Sequence, residues 1–152
     1  MGAIHTRLRR RKVTVAAAES CTGGLLAAVL TAHGGSSDYF KGGAVVYSNE
    51  AKSILVDVPA DLIHGHGAVS SVVAGALARG SRARLGAKIG LGITGIAGPG
   101  GATPGKKVGL TYVAVDSDQH SAVKKYQWPY DREGNRLASV GAALDLLEKA
   151  IG

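Results

Sequence analysis

The sequence predicts an α/β protein, a single-domain three-layer α/β/α sandwich around a mixed parallel/antiparallel sheet. Three observations carry that expectation. Short β-rich apolar runs alternate with Ala- and Leu-rich helical segments, the pattern of strands covered by helices on both sheet faces. Late in the chain two strand-like runs follow one another across the short polar turn Ser117-Asp118-Gln119-His120, as neighbouring antiparallel strands do. And 152 residues, 45% hydrophobic and 19% charged, suffice for one buried core. Aromatic residues are only 5%, so that core must be built from Ala, Val, Leu and Ile.

Each element follows in order. Val13–Ala18 is apolar apart from Thr14, as a central strand buried on both faces should be. Gly24–Ala32 reads as a helix closed by His33-Gly34-Gly35. Gly43–Ser48 is a second short strand, and Asn49 is placed to cap the helix that follows. Pro59 suits the first turn of a short helix within 57–67. Ser70–Leu85 is the clearest helix. Lys88–Ile93 is a strand whose glycines let a neighbouring helix approach closely. A Gly/Pro loop covers 94–107, strands are expected at 108–116 and 121–128, and Asp131–Ile151 closes the chain as a helix. Its apolar stripe is Leu137, Val140, Leu144, Leu147 and Ile151. The order is β-α-β-α-α-β-β-β-α, with no linker and no internal repeat.

Charge and cysteine content narrow the function classes. Five of the net +7 charges lie in Arg7, Arg9, Arg10, Arg11 and Lys12, so the expected division is a basic N-terminal segment, 1–12, and a domain, 13–152. Without basic residues interleaved with aromatics, a nucleic-acid platform is not expected. A single cysteine fits a reducing compartment, and no run of about 20 apolar residues is present, so a cytoplasmic protein without membrane association is expected. The five histidines do not form a ligand set by spacing, so no metal and no cofactor is expected.

Three stretches are candidates for chemistry. Ala18-Glu19-Ser20-Cys21-Thr22-Gly23-Gly24 lies between a strand and a helix, where backbone amides can face an anion. There Ser20 and Thr22 either cap the helix or supply a nucleophile, and Cys21 is the weaker nucleophile. Tyr47-Ser48-Asn49-Glu50-Ala51-Lys52 is the second; a lysine near a helix N-terminus is poorly placed for the dipole, and that field lowers its pKa. It is either a base toward a hydroxyl or a surface lysine. Thr94–Gly101 is the third, a glycine-rich loop outside the Walker A frame that either wraps a ligand or merely connects.

Taken with Gly35–Gly43, His66–Ser70 and Gly92–Gly109, these stretches resemble the CinA C-terminal domain family, whose enzymatic members are nicotinamide mononucleotide deamidases. The resemblance spans about residues 12–150. It departs at Trp128-Pro129-Tyr130-Asp131-Arg132, where Tyr130 replaces a usual glycine. The chain looks like a stand-alone deamidase form without the domain that precedes this one in longer CinA proteins. The resemblance implies hydrolysis of the carboxamide of nicotinamide mononucleotide in NAD salvage, without metal or cofactor, by a small-molecule nucleotide enzyme that forms a homo-oligomer, commonly a dimer. Carried over by motif, Ser20 is the nucleophile, with Lys52 and Tyr47 as proton-transfer partners. Thr22, Gly23, Gly24, Ser37, Ser48, Thr94, Gly95 and Gly98 bind substrate. Which of Ser20, Thr22 and Ser48 attacks is left open at this level, as are the roles of Glu19 and Arg132. A non-catalytic nucleotide-binding protein of the same fold is the alternative.

Overall fold

The computed structural model describes residues 1–152. Val15–Glu19 (β1) is the central strand that its apolar run predicts, buried at every position. Phe40–Val45 (β2) pairs with it in parallel on one side and Ile89–Gly95 (β3) in parallel on the other. Leu110–Ser117 (β4) and Ser121–Gln127 (β5) continue the sheet antiparallel, giving the order β2-β1-β3-β4-β5. The mixed sheet and the three layers are as expected.

Strand alternation decides which residues meet which helices. Val15, Ala17, Leu91, Ile93, Val113 and Val115 join one core with Gly2–Arg11 (α1), Leu25–Leu30 (α2) and Arg132–Ile151 (α6). Ala18 and Ala114 face the other layer, made of Asn49–Val56 (α3), Ala60–His66 (α4) and Ser71–Leu85 (α5). Gly90 and Gly92 let α5 rest on the backbone of β3, as their placement predicts. A Cβ on Gly92 would lie 2.5 Å from the Ala74 carbonyl oxygen, and one on Gly90 would collide with that of Ala78.

Several boundaries differ from expectation, each for a local reason. The second strand is Phe40–Val45, not 43–48, because Gly42 and Gly43 lie inside the ladder and Ser48 leaves it to cap α3, accepting from the Ala51 amide. That capping role had been expected of Asn49. The first predicted helix shortens to Leu25–Leu30 because Gly23 and Gly24 hold left-handed φ values of 59° and 101°. β3 runs on through Thr94 and Gly95, which had been read as loop. The three helices expected over 49–85 are all present between β2 and β3, one more than the expected element order counts, and the basic N-terminal segment forms α1, with Ile4 and Leu8 buried against the core. Leu137 is 52% exposed, because Asn135 and Ser139 take the inward positions at that end of α6; Ala143 and Leu146 complete the buried stripe farther on. No helix is long and apolar enough to cross a membrane.

Connections from adjacent strands leave the sheet on opposite faces, α2 after β1 and α3 after β2. The crevice above the C-terminal ends of β1 and β2 is therefore a topological switch point, the usual place for a ligand in an open α/β sheet. Gly92→Ala is expected to push α5 off the sheet and to cost about 1–3 kcal/mol, read as a lower midpoint in urea or thermal unfolding.

Candidate active site

The turn after β1 is built by Glu19. Its buried carboxylate accepts the amides of Leu26 at 2.9 Å and Ala27 at 2.8 Å, which lack partners at the start of α2. Ser20 extends the β1 ladder by one bond, its amide donating to the Ile93 carbonyl at 3.0 Å. Glu19 thus braces the turn that presents the next side chain.

Lys52 reaches the same point from α3. It is 1% exposed, and its Nζ lies 3.3 Å from Ser20 Oγ while donating to the Val46 carbonyl at 2.9 Å. None of the ion pairs in the structure involves it. Burial pushes its pKa below the ordinary lysine value of 10.5, with Cys21 and Glu50 pulling weakly the other way. A buried amine held beside a hydroxyl has the geometry that a base–nucleophile pair requires. The Cys21 thiol beside it is driven by burial up to about 11, so it stays protonated at neutral pH and is a poor nucleophile.

Ser20 and Lys52 open into a cavity of about 350 Å³. Tyr47, Asn49, Ala68 and Val69 form part of its wall, and Thr94–Gly98 with Gly100 and Gly101 form another. The amides of Cys21, Ala97 and Gly98, all on that wall, donate to no backbone carbonyl.

The expected site residues divide into those the fold brings together and those it does not. Ser20, Lys52, Tyr47, Thr94, Gly95 and Gly98 converge on the cavity. Tyr47 stands at the rim, 60% exposed, with its hydroxyl 3.1 Å from Arg132 Nη2 and no hydrogen bond to Ser20 or Lys52. Thr94 Oγ1 donates to the Ala68 carbonyl at 2.8 Å. Thr22 is fully buried and off the cavity, and Gly23 and Gly24 shape the turn behind Ser20. Ser48 is the cap of α3 and does not line the cavity. Ser37 falls outside the site altogether. It lies in a 3₁₀ turn before β2, and because β2 runs parallel to β1 that turn sits at the opposite end of the sheet from Ser20.

Sequence reasoning missed the role of the first turns of α6. Arg132 Nη1 donates to the Gly98 carbonyl at 2.7 Å, and Asn135 Nδ2 to that of Ala97 at 3.0 Å. Arg136 donates to the carbonyls of Cys21 and Thr22 at 3.2 and 3.0 Å. One polar helix face therefore fixes both the turn after β1 and the glycine-rich loop. The signal was present: Arg132, Asn135 and Arg136 stand at i, i+3 and i+4, one face of a helix.

Comparison with known proteins agrees with this architecture. The CinA C-terminal domain model matches residues 1–151. The chain belongs to the CinA C-terminal domain family. A CinA-like protein of Koribacter versatilis is 51% identical over 144 residues, 95% of this chain and 35% of that protein. A putative competence-damage inducible protein of Moorella thermoacetica is 48% identical over 144 residues, with the same 95% and 35% shares. The CinA domain here thus spans about a third of the length of the curated relatives it matches. Among solved structures, a competence/damage inducible protein from Agrobacterium tumefaciens superposes with a TM-score of 0.94 at 36% identity, covering 99% of this chain and 92% of that one. A CinA superfamily protein from Escherichia coli gives 0.93 at 29% identity, covering 97% and 86%.

Lys52 carries a stability consequence in this CinA domain. Its folded pKa lies below its unfolded value of 10.5, so the unfolded chain holds the proton more tightly. The side chain therefore disfavours folding most below the folded pKa, and the penalty vanishes above the unfolded one. Lys52→Met is expected to raise Tm at pH 7, with the difference shrinking as pH approaches 10.5.

Proposed function

We propose that this site hydrolyses the carboxamide of nicotinamide mononucleotide, giving nicotinate mononucleotide and ammonia, with Ser20 as nucleophile and Lys52 as base. The observation that carries the reading is the 3.3 Å approach of a buried amine without a carboxylate partner to the Ser20 hydroxyl at the mouth of the switch-point crevice. Neutral Lys52 takes the hydroxyl proton as Ser20 Oγ attacks the carboxamide carbon. The developing oxyanion is placed toward the unengaged amides of the cavity wall, Cys21 among them. Protonated Lys52 then returns its proton to the leaving ammonia as the C–N bond breaks. Water, deprotonated by the same amine, attacks the acyl-serine; that proton passes to Ser20 Oγ as the ester bond breaks, releasing the carboxylic acid, which gives its remaining proton to solvent, and restoring both groups.

Ser20 is preferred over Thr22 and Ser48 because only its hydroxyl is beside the amine. Tyr47 receives a binding role, since its hydroxyl pairs with Arg132 at the rim, where the guanidinium suits a phosphate. Family resemblance supports a homodimer as the working form.

Ammonia release from nicotinamide mononucleotide is the test. Ser20→Ala and Lys52→Met are each expected to lower kcat by about 10³-fold or more; near-full activity in Ser20→Ala removes the assigned nucleophile, and binding without turnover by the wild type favours a nucleotide-binding protein instead. The kcat/KM profile is expected to rise with pH as Lys52 loses its proton, through a midpoint below 10.5, and then level off. Tyr47→Phe is expected to raise KM with kcat within about threefold; a hundredfold loss of kcat would return Tyr47 to proton transfer.

A further inference from the structure

We propose that Lys106 is a positioning residue that straps together the two walls of the catalytic cavity and thereby sets its width. Neither the dyad nor the helix capping explains this side chain. It belongs to the excursion that follows the glycine-rich wall, where Thr103 and Lys106 exchange two backbone hydrogen bonds of 2.9 Å and close a tight turn. From there its ammonium reaches back to the other wall, donating to the carbonyls of His66 at 3.1 Å and Val69 at 2.7 Å. It makes no ion pair. Within the protein its ammonium meets only backbone carbonyls.

Gly67 makes that approach possible. Its φ is +79°, and a Cβ there would stand 2.7 Å from Lys106 Nζ. The flanking carbonyls are also engaged: Gly67 accepts from Ser70 Oγ at 2.9 Å and Ala68 from Thr94 Oγ1 at 2.8 Å. Every carbonyl from His66 to Val69 is thus bound by a side-chain donor, and Lys106 supplies two of the four bonds. Ala68 and Val69 line the cavity, so their placement is the placement of its wall. Because the strap joins two surface segments and no core residue, its loss widens the cavity without unfolding the domain. Substrate held loosely against Ser20 and Lys52 is the consequence, a loss in binding rather than in proton transfer.

The kinetic part rests on the hydrolysis proposed above. Lys106→Met is expected to raise KM for nicotinamide mononucleotide about tenfold, with kcat within about threefold and Tm within about 2 °C of wild type. Lys106→Arg, which keeps the charge and several donors, is expected to recover most of that loss, and Gly67→Ala to reproduce it by displacing the amine. Amide hydrogen exchange supplies a readout independent of activity: in Lys106→Met, peptides covering 66–70 and 96–101 should exchange faster while those from β1, β3 and α5 do not change. Unchanged exchange in these two segments overturns the strap, and so does an unchanged KM in an active enzyme. If the wild type releases no ammonia, the hydrolysis proposal falls by itself and the exchange measurement alone decides the strap.

Discussion

A nearly inaccessible amine without a carboxylate partner governs the upper end of this sheet. Water stabilises an ammonium far better than a protein interior does, so enclosing Lys52 favours its neutral form and gives its lone pair a use. The surroundings look arranged to keep it enclosed and aimed. The Ser48 cap fixes where α3 begins, the Val46 carbonyl orients the amine, and Glu19 anchors the turn that delivers Ser20. Replacing the amine by an apolar side chain would make an easier core; on the proposed mechanism, keeping it supplies a base.

The layers of the fold were legible because they rest on signals that local sequence carries. The five buried positions of β1, the long helix α5 and the glycines beneath it follow from apolar runs and from residues too small to block a helix. Register was less legible. Phe40, Lys41 and Gly42 lie ahead of the strand that the sequence predicts from Gly43, yet pairing with β1 draws them into it, and only the three-dimensional ladder reveals it. The same limit hid the fate of Ser37, whose motif lies beside the others in sequence but at the far end of a parallel strand. Motif proximity and spatial proximity part company whenever a strand lies between them.

The site shows a comparable division. Ser20 and Lys52 were legible as residue types at strand-to-helix junctions, and their meeting follows from the switch in connection face. Glu19, Asn135 and Arg136 act on backbone amides or carbonyls, and a bond to a backbone atom leaves no complementary residue to notice. Much of the support for the cavity is of this kind. Cationic and amide side chains capture carbonyls behind its walls, while wall amides at Cys21, Ala97 and Gly98 remain available as donors.

Cys21 shows what such enclosure means for the chemical surroundings the protein tolerates. Its sulfur is the chain's only thiol and stands next to Ser20, the proposed nucleophile, where an exposed thiolate would compete for the same carbonyl and yield to oxidants and alkylating agents. With its proton retained to about 11, it does neither at neutral pH. An acyl transfer run by oxygen and nitrogen alone, with the sulfur kept inert, needs no reductant to stay competent. On the proposed mechanism the reaction is indifferent to the redox poise around it.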